Sequence, residues 1–205
     1  MAPLTRRLLL ATASLLAAQA LSPSAAAAEV TPVVAPLSQA HQRLLRAIPS
    51  DPAPKKLVRG QHYLTSNEDH PERFATLLKG LGGVYVGVGA EQNYLFAGWA
   101  RPDIVILLDF DDMVVDLHGV YRAFFLAAKG PLQLIALWHR DNEKQALATL
   151  RNATSNAAEL KRLVSVYRIG RKVIHKRLAG MRRKHKAQKT ASFLSDQAQY
   201  AYIVG

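Results

Sequence analysis

The stretches Gly82-Gly83-Val84-Tyr85-Val86-Gly87-Val88-Gly89 and Ile104-Val105-Ile106-Leu107-Leu108-Asp109 decide how this chain is read. The first is a short apolar run set between glycines, which predicts a strand. The second shows no polar alternation, the pattern of a strand buried on both faces of a parallel sheet. Between them, residues 91–100 predict a helix that Arg101-Pro102 breaks. Met113 to Ala128 predicts another, ended by Lys129-Gly130-Pro131. Gly82 to Ala127 therefore reads as β-α-β-α, the opening of a nucleotide-binding, Rossmann-type sheet.

The chemistry expected of such a unit sits at the strand ends. Gly87 and Gly89 let backbone approach a phosphate or ribose closely, and the helix that follows presents unpaired N–H groups. Asp109, twenty-two residues after Gly87, is placed to accept hydrogen bonds from ribose hydroxyls. Gln92 stands where a dinucleotide fingerprint wants its third glycine, and Glu91 where a G-x-G-x-G turn wants one. The bland alternative is a tight strand-to-helix turn without a ligand. A second pattern overlaps the first. In Asp109-Phe110-Asp111 a hydrophobic strand ends in Asp-x-Asp, as in Mg²⁺-dependent haloacid-dehalogenase phosphatases. Asp112-Met113 replaces the turn those enzymes use, and no paired acidic motif follows. A helix N-terminus favouring acidic residues explains Asp111 and Asp112 more simply.

Outward from this core, the chain divides by composition. Residues 1–28 read as a signal peptide: Arg6-Arg7 precede an apolar run, Leu8 to Ala18, shorter than the roughly 20 residues that span a bilayer, and Ala26-Ala27-Ala28 follow. Thr5-Arg6-Arg7-Leu8-Leu9-Leu10 resembles a twin-arginine signal, with Ala11 where lysine is usual. The expected location is therefore the periplasm or cell envelope. Residues 29–70 read as an extension carrying a short amphipathic helix near Leu37–Ile48, 71–130 as the Rossmann-like core, and 131–205 as a basic helical region. With no cysteine in the chain, disulfides, thiolate catalysis and cysteine metal sites are excluded.

Charge is concentrated. Of 27 Lys and Arg, twelve lie between Lys161 and Lys189, a stretch without an acid; the other fifteen match the fifteen Asp and Glu. Such a helix suits an anionic lipid or polymer surface. Only Tyr167 and Phe193 lie near it to stack bases, which argues against nucleic acid. No transmembrane run follows the signal.

The motif from Gly82 through Gln92-Asn93-Tyr94, continuing through Arg101-Pro102, Asp109 and Leu117-His118-Gly119-Val120-Tyr121-Arg122-Ala123-Phe124-Phe125, resembles an uncharacterised bacterial family with a methyltransferase-like Rossmann fold. Ser195-Asp196-Gln197-Ala198-Gln199-Tyr200 looks like a further shared patch. The resemblance implies architecture more than activity. The expected fold class is accordingly α/β, a partial Rossmann-like (methyltransferase-like) parallel sheet with a long basic helical region. Because two strands cannot complete such a sheet, and family members look longer, the chain is expected to be C-terminally truncated. The expected function is an exported protein with a nucleoside- or cofactor-binding scaffold, S-adenosylmethionine being the cofactor the resemblance suggests. Gly87, Gly89, Gln92, Asn93 and Asp109 would then line its site, with no metal and no assigned catalytic residue. The alternatives are a non-enzymatic envelope protein gripping anionic lipid or polymer, and a Mg²⁺-dependent phosphatase built on Asp109 and Asp111.

Overall fold

The computed structural model describes residues 38–49, 52, 56 and 61–204. The signal peptide expected at 1–28 lies outside these residues. Helix α1, Gln39–Ala47, is capped by Ser38, whose hydroxyl accepts from the His41 N–H. A 3-10 turn over Pro71–Phe74 runs into the single turn α2, Ala75–Leu78. Strand β1, Val84–Val88, helix α3, Gln92–Ala100, strand β2, Ile104–Leu108, and helix α4, Asp112–Ala127, follow in the expected order. Then come α5, Pro131–Leu137, α6, Glu143–Ala153, the long α7, Ala157–Ala187, and α8, Gln197–Val204.

The two strands pair in parallel, Val84 opposite Ile104 and Val88 opposite Leu108. They form the whole sheet among the described residues. The Rossmann-like α/β fold expected from the sequence is therefore incorrect: the protein is mostly helical, with a two-stranded parallel sheet at its flank. Nor are the strands buried on both faces. Val84, Val86 and Val88 remain 57–60% exposed, and Val105 and Leu108 45% and 48%. A run of apolar residues specifies an extended segment but not what covers it. Here the chain after α4 does not return to the sheet; its apolar residues recur at helical spacing and pack on one another.

That packing makes the core. Along α7, Leu163, Val166, Tyr167, Gly170, Ile174, Leu178, Met181 and His185 are buried at steps of three and four, one continuous stripe. They meet the buried face of α4, where Leu117, Val120, Tyr121 and Phe124 are fully enclosed with Trp138, Leu134 and Leu150. A Cβ on Gly119 would run into the Leu163 side chain, so the glycine sets how closely α4 and α7 approach. Asn156 starts α7 by accepting from the Ala158 and Glu159 N–H groups at 3.0 and 3.1 Å. Among the described residues, no helix is long and apolar enough to cross a membrane.

Candidate functional site

Gly87, Gly89, Gln92, Asn93 and Asp109 do come together at one end of the sheet. Because β1 and β2 run in register, the residues that follow them, Gly89 and Asp109, face each other. The Gly89 N–H donates to Asp109 Oδ2 at 3.1 Å, and the Asp111 N–H donates to Oδ1 at 2.9 Å. The buried Asn93 directs its amide nitrogen at the carbonyls of Val88, Gly89 and Ala90 while its oxygen accepts from Tyr85 Oη at 2.7 Å. A Cβ on Gly87 would collide with Asn93, and Gly89 adopts φ of 88°, so each position requires glycine for a different reason. His118 closes the turn. Its Nε2 lies 2.9 Å from the Gly89 carbonyl, which can only accept, so Nε2 carries the proton and Nδ1 accepts from Tyr94 Oη at 2.7 Å. Burial holds this imidazole below the ordinary histidine value, which keeps it neutral. Most polar atoms of the turn thus bond within the chain; Gln92 Oε1 is buried without a partner.

Asp111 serves the helix. It caps α4 by accepting from the Met113 N–H at 3.0 Å, and its carboxylate holds His62 Nδ1 at 2.8 Å. Among the described residues, no group of three or more His, Asp or Glu is arranged to hold a metal ion. Glu91 is likewise structural. It is fully buried, accepts from the Ser66 N–H at 2.9 Å, and pairs with Arg177 Nε at 2.8 Å.

Sequence reasoning did not single out a different place, where the Pro71–Leu78 segment lies against α7. Glu72 has a side chain nine-tenths buried there. Its Oε1 accepts from Lys184 Nζ at 2.9 Å and lies 3.0 Å from His70 Nδ1, while its Oε2 is buried with no partner. Burial alone would push its carboxyl up, but the bonds to Lys184 and His70 outweigh that and hold it down at about 2, so it stays ionised. Glu72 forms a wall of two cavities. One, of about 440 Å³, runs along α7 beside Lys176, Arg177, Lys184 and His185. The other, of about 650 Å³, is lined by Lys79, Trp99, Arg101, Lys189 and Gln199.

Residues lining both cavities carry buried polar atoms without a partner among the described residues. Besides Glu72 Oε2, His185 Nε2 is unpartnered on a ring 1% exposed, and Gln199 Oε1 is unpartnered in the larger cavity. Lys79, Arg101, Lys176 and Lys189 have no carboxylate within ion-pair distance among the described residues. Arg101 and Lys189 are also the two non-glycine residues there with left-handed backbone, φ of 52° and 54°. Two cations in strained conformations, at different helix ends, line the same cavity. The signal in the sequence was indirect: twelve cations between Lys161 and Lys189 with no acid among them must draw counter-charges from elsewhere, and Glu72, Glu91, Asp116 and Glu143 supply several.

Residues 63–205 match the family described as a domain of unknown function, DUF7790. No curated protein matches the chain.

Proposed function

The chain belongs to the DUF7790 family, and from its geometry we propose that it is a binding protein for a small anionic molecule that also carries N–H donors. The observation that carries this reading is the cleft around Glu72. Lys79, Arg101 and Lys189 in the larger cavity, without ionic partners among the described residues, ask for an anion, and the bare, ionised Glu72 Oε2 with Gln199 Oε1 asks for donors. A buried acceptor left unpaired costs on the order of 1–3 kcal/mol, which a ligand amine or amide would recover. The cavity of about 650 Å³ has the size of a ligand pocket, and Trp99 lines it. If residues 1–28 act as an export signal, the ligand is one met outside the cytoplasm.

Calorimetric titration with inorganic phosphate, phosphoethanolamine and AMP tests this. The two amine-bearing probes should bind more tightly than phosphate. Lys79→Ala with Lys189→Ala should weaken them about tenfold or more, as loss of charge-assisted hydrogen bonds does. Glu72→Gln should erase their advantage over phosphate. No heat from any probe, or binding indifferent to these substitutions, sinks the reading.

A second reading keeps a nucleoside-type ligand such as S-adenosylmethionine at the sheet end, favoured by the bare Gln92 Oε1 beside Gly89. Such a ligand must displace the Gly89–Asp109 hydrogen bond. S-adenosylhomocysteine binding that disappears in Asp109→Ala would support it, and absence of binding to the native chain would remove it.

A further inference from the structure

On the flank of α7, a smaller cavity of about 290 Å³ opens between its middle turns and the segment that follows α5. It is lined by Trp138, His139, Arg140, Arg171, Lys172 and His175. Every one of these side chains carries a hydrogen-bond donor or an imidazole, and no carboxylate lines the space. At the two Glu72 cavities cations alternate with Glu72 or Asp69; this one is chemically one-sided.

Trp138 supplies the second, independent observation. It is the largest fully buried side chain of the core, at 0% exposure, yet its Nε1–H has no acceptor among the described residues. The contrast is Trp99, whose Nε1–H donates to the Ala191 carbonyl at 2.7 Å. An indole donates only, so only an acceptor can satisfy Trp138. Lys172 is exposed and has no carboxylate within ion-pair distance among the described residues. Arg171 gives Nη1 to Glu143 at 2.8 Å, which fixes its guanidinium. The His139 and His175 rings stand edge to face, 4.8 Å between centroids. Asp141 and Glu143 neutralise part of this charge from outside the cavity, Asp141 through Arg140 and, at 3.4 Å, His139 Nδ1, and Glu143 through Arg171.

We propose that this cavity is an oxyanion site that takes a phosphate group, with the Trp138 indole N–H as its buried donor and Lys172 and Arg140 as its outer cations. It is separate from the Glu72 cleft, and neither depends on the other. The space exceeds a bare phosphate, so the group can arrive free, on a soluble ester, or on a lipid headgroup.

The chain has two tryptophans, and each sits at one of the two sites, so their indole N–H signals in an ¹⁵N-labelled full-length protein read the sites separately. Trp138→Phe assigns the pair. Titration with inorganic phosphate should shift the Trp138 signal downfield and saturably, whereas chloride at matched ionic strength should not. Lys172→Ala with Arg140→Ala, both on exposed side chains, should weaken that response about tenfold. Vesicles containing phosphatidylglycerol form the second arm. A Trp138 response to phosphate and to vesicles assigns the headgroup as a source, and a response to phosphate alone assigns a free or soluble ester. A Trp138 signal that phosphate leaves in place, or that chloride moves equally, overturns the proposal, as does a response to vesicles without one to phosphate. The Trp99 signal and the calorimetry of the Glu72 cleft stand or fall independently.

Discussion

Arg101 and Lys189 hold backbone conformations in which glycine is the usual residue. Arg101 closes α3, its N–H donating to the Ala97 carbonyl at 2.8 Å with φ of 52°, the geometry of a left-handed helix cap. A side chain there costs about 1–2 kcal/mol relative to ordinary backbone, partly offset by the guanidinium lying 5.1 Å over the Tyr202 ring. If these side chains are kept for a ligand, Arg101→Gly and Lys189→Gly should each raise stability by up to about 1 kcal/mol in urea unfolding while weakening anion binding. A loss of stability in both would show that packing, not the ligand, retains them. Neither position could be found in the sequence, because nothing in Arg101-Pro102 or Lys189-Thr190 announces φ. Gly87 and Gly89 were legible for the opposite reason: glycines at the end of a β-rich run have few other uses. What the residues alone did not reveal was that Asn93 would occupy the space Gly87 leaves and that Asp109 would accept from the Gly89 N–H.

Helices α3 and α7 are tied through a pair that no local pattern could show. Glu91 and Arg177 lie 86 residues apart, yet the carboxylate is fully buried and the guanidinium 23% exposed. Arg177 also donates Nη2 to the Glu68 carbonyl at 2.6 Å, so one side chain fastens α7 to both the loop before the 3-10 turn and the turn before α3. Removing it strands a buried carboxylate, and Arg177→Ala should cost about 3–5 kcal/mol in chemical denaturation. Arg177→Lys should recover only part of this, since ammonium cannot serve both acceptors with the same fixed geometry. A change below about 1 kcal/mol in the alanine variant would mean that water relieves Glu91. The two strands were readable from their short apolar runs and most of the helices from periodicity, although α8 was not. Their assembly was not, because an apolar run of five or six residues such as Ile104–Leu108 predicts extension whether two helical layers cover it or none do.

Three histidines make the folded protein sensitive to mild acid. Burial holds His118, His175 and His185 below the ordinary value of 6.5, with the neighbouring His139 adding to the effect on His175. The unfolded chain takes up these protons near 6.5, and the folded chain resists them. Their contribution is therefore complete above about pH 6.5 and is lost as pH falls below it. Glu72 acts lower down: held at about 2 against an ordinary 4.5, its contribution is present above 4.5 and lost as pH falls toward 2. The urea midpoint should fall from about pH 7 to pH 5, before carboxylates titrate. A midpoint flat over that range would show that the imidazoles are freely solvated. The charge imbalance was plain in the sequence. The buried imidazoles were not, because His185 lies among Arg183, Lys184 and Lys186 in what reads as a solvated basic turn.

The reliance on α7 also sets an order in time. Glu91 waits 86 residues for Arg177, and the Asp69 carbonyl waits 115 for Lys184 Nζ. At a synthesis rate of roughly 5–20 residues per second, the sheet and its surroundings stay without these partners for roughly 4 to 17 seconds or more after they are made. Through that interval the apolar face of α4 that α7 later covers, and the Glu91 carboxylate, are left to meet whatever is nearby. The half of the molecule most easily read from its sequence is thus the half that must be sheltered longest before it can hold its shape.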